Sequence, residues 1–274
     1  MRGTALDRTG TSRTSSTSAP ARSAWRFRAF RKYGFRYLSK HFHSVRLERT
    51  GYRPAAGLTG PVVVVVNHPS WWDPMTGLVL STLWPDKARH FAPIEAAGLL
   101  KYPFLERLGF FGIESETARG GIAFLRQSLA ALAEPDGVLW ITAQGKFVDT
   151  RERPTRIKPG VGHLAHRLAS SGGHVLPLAF EYPFWNESKP EALARFGPPI
   201  SLAEPHDPDA WTATIEQALQ DSQDALSKAA ISRDPSRFET ILSGGAGVGG
   251  VYDLWRRFKS AALSKRFVAE HVAH

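Results

Sequence analysis

His68 and Asp73 stand five residues apart in the stretch VVVVVNHPSWWDP, residues 62 to 74. A neutral imidazole, with an ordinary pKa of about 6.5, can take a proton from a hydroxyl near neutral pH. A carboxylate bonded to its far nitrogen fixes the tautomer and stabilises the imidazolium that forms. These are two members of a hydrolase triad without the third. The chain has no GxSxG and no cysteine, so neither an elbow serine nor a thiol is available as nucleophile. A base and its orienting acid, lacking a nucleophile of their own, suit an enzyme whose attacking hydroxyl belongs to a substrate.

The flanking residues say how such a pair is positioned. Five consecutive valines after Pro61 predict a strand buried on both faces, with His68 at its mouth. Asp73, followed by Pro74 and MTGLVLSTLW, predicts a helix N-cap with proline in the first helical position. The short turn between brings imidazole and carboxylate within reach. Further strands are expected near 90, at 110–113, 137–143 and 174–182, with helices at 120–134 and 207–232. That alternation predicts a single α/β domain, a mixed and mostly parallel sheet flanked by helices.

NHPSWWDP also resembles the first motif, NHxSxxD, of the PlsC-like glycerophospholipid or lysophospholipid acyltransferases, matched at Asn67, His68, Ser70 and Asp73. The third motif of that family, an EGTR-like turn and then a basic-Pro-Gly helix start, is similar to residues 144 to 160. Gln144 stands in place of Glu, Gly145 is kept, Lys146-Phe147 replace Thr-Arg, and Lys158-Pro159-Gly160 opens the next helix. The second motif, a strand begun by glycine and ended by arginine, aligns with Gly109 and puts Ser115 where arginine is expected; Arg119, one helical turn later, is the substitute. Pro177 in HVLPLAFEY corresponds to the fourth.

The resemblance implies acyl transfer from coenzyme A or acyl carrier protein to a lipid hydroxyl, with no cofactor and no metal. His68 would be the general base and Asp73 its orienting acid. Asn67, Ser70, Gln144, Gly145, Lys146 and Lys158 would bind substrate, together with Arg119, Arg151 and Arg153, and a backbone N–H near Gly145 would stabilise the oxyanion. Arginine grips phosphate in a planar fork, lysine only as a point charge. With Ser115 and Phe147 in the two arginine positions, the acceptor stays open between a lysophospholipid and a neutral or glycosylated lipid.

The formal net charge is +10, from 35 Lys and Arg against 25 Asp and Glu, which calls for an anionic partner. Residues 1–24 read as a disordered basic tail, or by the same composition as a targeting segment; they have no apolar stretch of the kind a signal peptide needs. Residues 25–47 read as an amphipathic helix with a cationic stripe, Arg28, Lys32, Arg36 and Lys40, opposite Phe27, Phe30, Tyr33, Tyr37 and Leu38. Residues 48–232 form the expected acyltransferase-like domain, and 233–274 a Gly-rich hinge followed by a second basic amphipathic helix. Cations beside aromatics at both ends predict an anionic membrane surface as partner, and a peripheral protein on the cytoplasmic face of the inner membrane. No nucleic acid is expected, although a non-enzymatic basic binder of membrane or nucleic acid is the competing class, and a thioester or lipid hydrolase is a third.

Overall fold

The valines of the opening stretch form β2 (Val62–Val66), buried at every position. Alternate side chains leave a strand on opposite faces, so the run splits by parity. Val63 and Val65 enter one apolar cluster, while Val62, Val64 and Val66 enter another. Burying each valine contributes about 2 kcal/mol, which makes β2 the spine of the fold.

The computed structural model describes residues 19–54, 57–204 and 206–245. In chain order the elements are α1 (Ala24–His41), β1 (Ser44–Glu48), β2, α2 (Asp73–Leu80), β3 (Arg89–Glu95), α3 (Ala96–Lys101), β4 (Phe110–Ile113), α4 (Ala118–Leu132), β5 (Gly137–Thr142), α5 (Gly160–Leu168), β6 (His174–Glu181), β7 (Glu191–Phe196), β8 (Ile200–Ser201), α6 (Pro208–Ile231) and β9 (Phe238–Ser243). One sheet runs in the order β4-β3-β5-β2-β6-β7-β1-β9, with β8 paired to β6. The pairs from β4 across to β6 are parallel, as is β1 with β7; β6 with β7, β6 with β8 and β1 with β9 are antiparallel. The result is a single mixed α/β domain, its largely parallel sheet covered by α4, α5 and α6 on one face and by α1 and α2 on the other.

Register prepares the site. Val66 lies opposite Thr142 on one side and Leu178 on the other. Two residues further along each chain, His68 falls level with Gln144, in the turn after β5, and with Phe180, still within β6.

Three expectations need correction. The helix expected over 25–47 stops at His41, and Ser44–Glu48 is a sheet strand between β7 and β9. The segment expected as a hinge from 233 contains β9, which pairs with β1, so the sheet extends past both boundaries drawn at 48 and 232. Asp73 is not the N-cap: Trp72 is, without a side-chain cap bond, and Asp73 is the first helical residue. Its carboxylate turns back into the loop instead. The expected C-terminal helix, and most of the Gly-rich and N-terminal segments, lie outside the described residues.

α1 is seated on the domain through Gly34. A Cβ there would lie 2.8 Å from Leu78 Cδ2, so the helix lies close against α2 and a larger residue would displace the Leu78 side chain. Phe27 and Leu38 are buried beneath it, while Arg28, Lys32, Arg36 and Lys40 are all exposed. Of the aromatic side opposite the cations, Tyr33 is 53% exposed, whereas Phe27 and Leu38 are taken up by the domain.

Candidate active site

His68 Nδ1 lies 2.6 Å from Asp73 Oδ2. With the carboxylate accepting, Nδ1 carries the hydrogen and Nε2 is left as the basic nitrogen. The imidazole is 18% exposed and the carboxylate 1%, so the base reaches solvent and its partner does not. Asp73 also accepts from the Ser70 N–H at 3.2 Å, and at 2.7 Å from the hydroxyl of Tyr182, which lies 3.1 Å from Thr76 Oγ1. Burial pushes the Asp73 carboxyl up; the bonds from His68, Tyr182 and Ser70 pull it back only in part. Burial, with Asp73 beside it, drives the Tyr182 phenol well above its ordinary value, so it stays a hydrogen donor.

The turn after β5 is tied to the base from both sides. The His68 N–H donates to Gln144 Oε1 at 2.8 Å, and the Val148 N–H donates to the His68 carbonyl at 3.0 Å. Gly145 makes the turn possible with φ +66°, and Lys158 Cε would sit 2.9 Å from any Cβ there. Between these anchors the Phe147 ring packs against His68, centroids 4.4 Å apart and tilted by 42°.

The remaining expected site residues divide sharply. Ser70 caps the loop, its Oγ accepting from the Trp72 N–H at 3.3 Å. Asn67 is turned inward: Nδ2 donates to the Phe180 carbonyl at 3.1 Å and Oδ1 accepts from its N–H at 2.7 Å, clamping β2 to β6 rather than facing substrate. The Gly145 N–H donates to the Thr142 carbonyl at 3.1 Å, so it is not the oxyanion donor. The neighbouring Lys146 and Phe147 amides have no backbone acceptor among the described residues. Lys146 and Arg119 are exposed. Arg151 is bonded to Asp149 at 2.7 Å, Arg153 to Asp224 at 2.5 Å and Lys158 to Glu116 at 3.1 Å. Among the described residues no group of three or more His, Asp or Glu is arranged to hold a metal.

Tyr182 and the orienting role of Gln144 were not foreseen. Tyr182 closes the apolar HVLPLAFEY run, and a polar-tipped residue at the mouth of a core strand was the available signal.

A His-Asp pair at the C-terminal edge of a central parallel strand, gripped by the loops of both neighbours, defines an α/β enzyme domain of the kind that binds ligands at that edge. The chain belongs to the acyltransferase family: the model described as "Acyltransferase" matches residues 35–181, from mid-α1 to the end of β6. Among solved structures, the 1-acyl-sn-glycerophosphate (LPA) acyltransferase PlsC from Thermotoga maritima is similar, with 16% identity and a TM-score of 0.44 over 74% of this chain and 79% of that one. No curated protein sequence matches the chain.

Proposed function

We propose that this acyltransferase moves an acyl group from acyl-CoA or acyl carrier protein to a lipid hydroxyl, with His68 as general base. The observation that carries the reading is the 2.6 Å His68–Asp73 bond beneath a solvent-facing imidazole. Nε2 takes the acceptor's proton as its oxygen bonds to the thioester carbonyl carbon. The C–S bond then breaks, and the imidazolium returns the proton to the leaving thiolate, giving an ester and a free thiol. The Lys146 and Phe147 amides are the oxyanion donors this reading selects.

Membrane docking fits the same reading. Four exposed cations on α1, each contributing about 1 kcal/mol near an anionic leaflet, lie on a helix whose Trp25 and Tyr33 are also exposed. Leu100 in α3 and Phe104 just after it add apolar surface. No helix among the described residues is long and apolar enough to cross a membrane. The exposed cations of α1 support reading the chain as peripheral on the cytoplasmic, anionic leaflet of the inner membrane.

The test is to incubate purified protein with palmitoyl-CoA and a total lipid extract and to identify acylated species by mass spectrometry. The expected result is a new ester that His68→Ala does not make. Release of free fatty acid alone points to hydrolysis instead, and an unchanged thioester refutes the enzymatic reading.

A further inference from the structure

The arginines and the lysine that follow the Gly145 turn are committed to carboxylates, while Lys146 and Arg119 stay exposed as single cations without a guanidinium fork at the base. The Ser115 hydroxyl, in the second-motif arginine position, donates to Glu95 Oε2 at 2.5 Å. Every cation of the loop at 151–158 is engaged by a carboxylate: Arg151 by Asp149, Arg153 by Asp224, Arg156 by Glu216 at 2.9 Å, and Lys158 by Glu116. A phosphate monoester would have to displace these carboxylates, and Glu181 adds another at the mouth of β6, next to Tyr182. Forked guanidinium contacts of the kind that make phosphate binding specific are already in use.

In their place stands an aromatic ring. Phe147 is 61% exposed although it lies tilted against the His68 imidazole, and the bonds of Gln144 and Val148 to His68 hold its turn in position. Across the 68–73 turn Trp71 is 58% exposed and rests on Trp72 with centroids 4.8 Å apart. Exposed rings on a rigid loop leave apolar area for an occupant to cover. An occupant that suits an aromatic face, with carboxylates and a carboxamide nearby, is uncharged, carries C–H groups on its face and hydroxyls at its rim.

Resting on the acyl-transfer reading above, we infer that the acceptor hydroxyl belongs to an uncharged sugar ring of a glycosylated lipid, seated on Phe147. A ring lying there presents its rim to an imidazole whose centroid is 4.4 Å from that of Phe147. His68 takes the proton of one sugar hydroxyl, that oxygen bonds to the thioester carbonyl carbon, and the thiolate leaves with the proton, yielding a sugar ester and a free thiol.

The experiment offers the full chain palmitoyl-CoA with one of three acceptors in mixed vesicles: dodecyl glucoside, 1-oleoylglycerol or 1-oleoyl-lysophosphatidate. Thiol release and product mass are followed together. The glucoside is expected to be acylated with kcat/KM about tenfold or more above either other acceptor. Phe147→Ala should lower the glucoside kcat/KM about tenfold, most of the loss falling in KM, and Phe147→Tyr should restore it. Phe147→Arg should shift preference toward lysophosphatidate. Preference of the unmodified protein for lysophosphatidate or oleoylglycerol overturns the inference, as does a Phe147→Ala protein that keeps the glucoside KM. If no acceptor gains an acyl chain, acyl transfer itself is refuted and this inference falls with it; if one of the other two is acylated in its place, only the sugar falls.

Discussion

Among the described residues two histidine-carboxylate pairs have the same length, and only one has an imidazole open to solvent. His43 Nδ1 and Glu191 Oε1 are 2.6 Å apart, as are His68 Nδ1 and Asp73 Oδ2. Glu191, however, is locked between β1 and β7, where Ser44 Oγ also donates to it and Arg46 Nε bonds at 3.1 Å, with both partners under a tenth exposed. Burial raises the Glu191 carboxyl, but the bonds from His43, Ser44 and Arg46 outweigh it and hold the group below its usual range. At Asp73 the same contest ends the other way. The two pairs differ in their surroundings: the one proposed as catalytic has an open ring and an incompletely compensated acid, the one between β1 and β7 a closed ring and a saturated acid.

Breaking each pair should give opposite phenotypes. His68→Ala is expected to reduce acyl transfer by about 10²- to 10⁴-fold, read from initial rates of thiol release, while its urea midpoint stays near that of the parent. Asp73→Asn keeps the shape but presents the wrong hydrogen to Nδ1; kcat should fall by about 100-fold or more. Glu191→Ala should leave turnover per folded molecule intact and destabilise by about 3–5 kcal/mol, since it strands Arg46 in the interior. Equal activity losses for His68→Ala and Glu191→Ala would erase the distinction.

A third histidine sharpens it by having no carboxylate. His90 accepts from Trp140 Nε1 at 3.1 Å and stacks on Phe27 with centroids 5.4 Å apart. Burial first, then Arg22 and Arg31, push it down to about 3. The unfolded chain binds that proton below about pH 6.5 and the folded chain does not, so stability is lost as pH falls, by about 2 kcal/mol at pH 5. His90→Gln, which keeps an acceptor for Trp140, should flatten this part of the urea-midpoint profile between pH 7 and 5. The smallest change is Tyr182→Phe. Losing one bond to Asp73 should cost about 1 kcal/mol, roughly fivefold in kcat, with the pH at half-maximal activity displaced as the acid is left less compensated.

The amino-acid order determined what is local. Five β-branched valines favour a strand buried on both sides, and a five-residue turn holds His68 and Asp73 together, so the core and the His-Asp pair were legible directly. The helix start was misplaced by one residue because Asp73 had a stronger partner in His68 than in the helix N–H groups it was expected to cap. Only the tertiary structure decided what surrounds the pair. Gln144 meets His68 across 76 positions and Tyr182 meets Asp73 across 109, by way of parallel neighbours whose register no nearby residue specifies. The same holds for β9, whose alternation says strand but whose place beside β1 depends on an edge some 190 residues earlier. It holds too for the basic loop, where side chains suited to phosphate are instead paired with carboxylates brought by α6 and by the loop before α4. Spacing along a chain constrains neighbours within a turn or two; contacts between distant residues follow from the order and register in which strands pair.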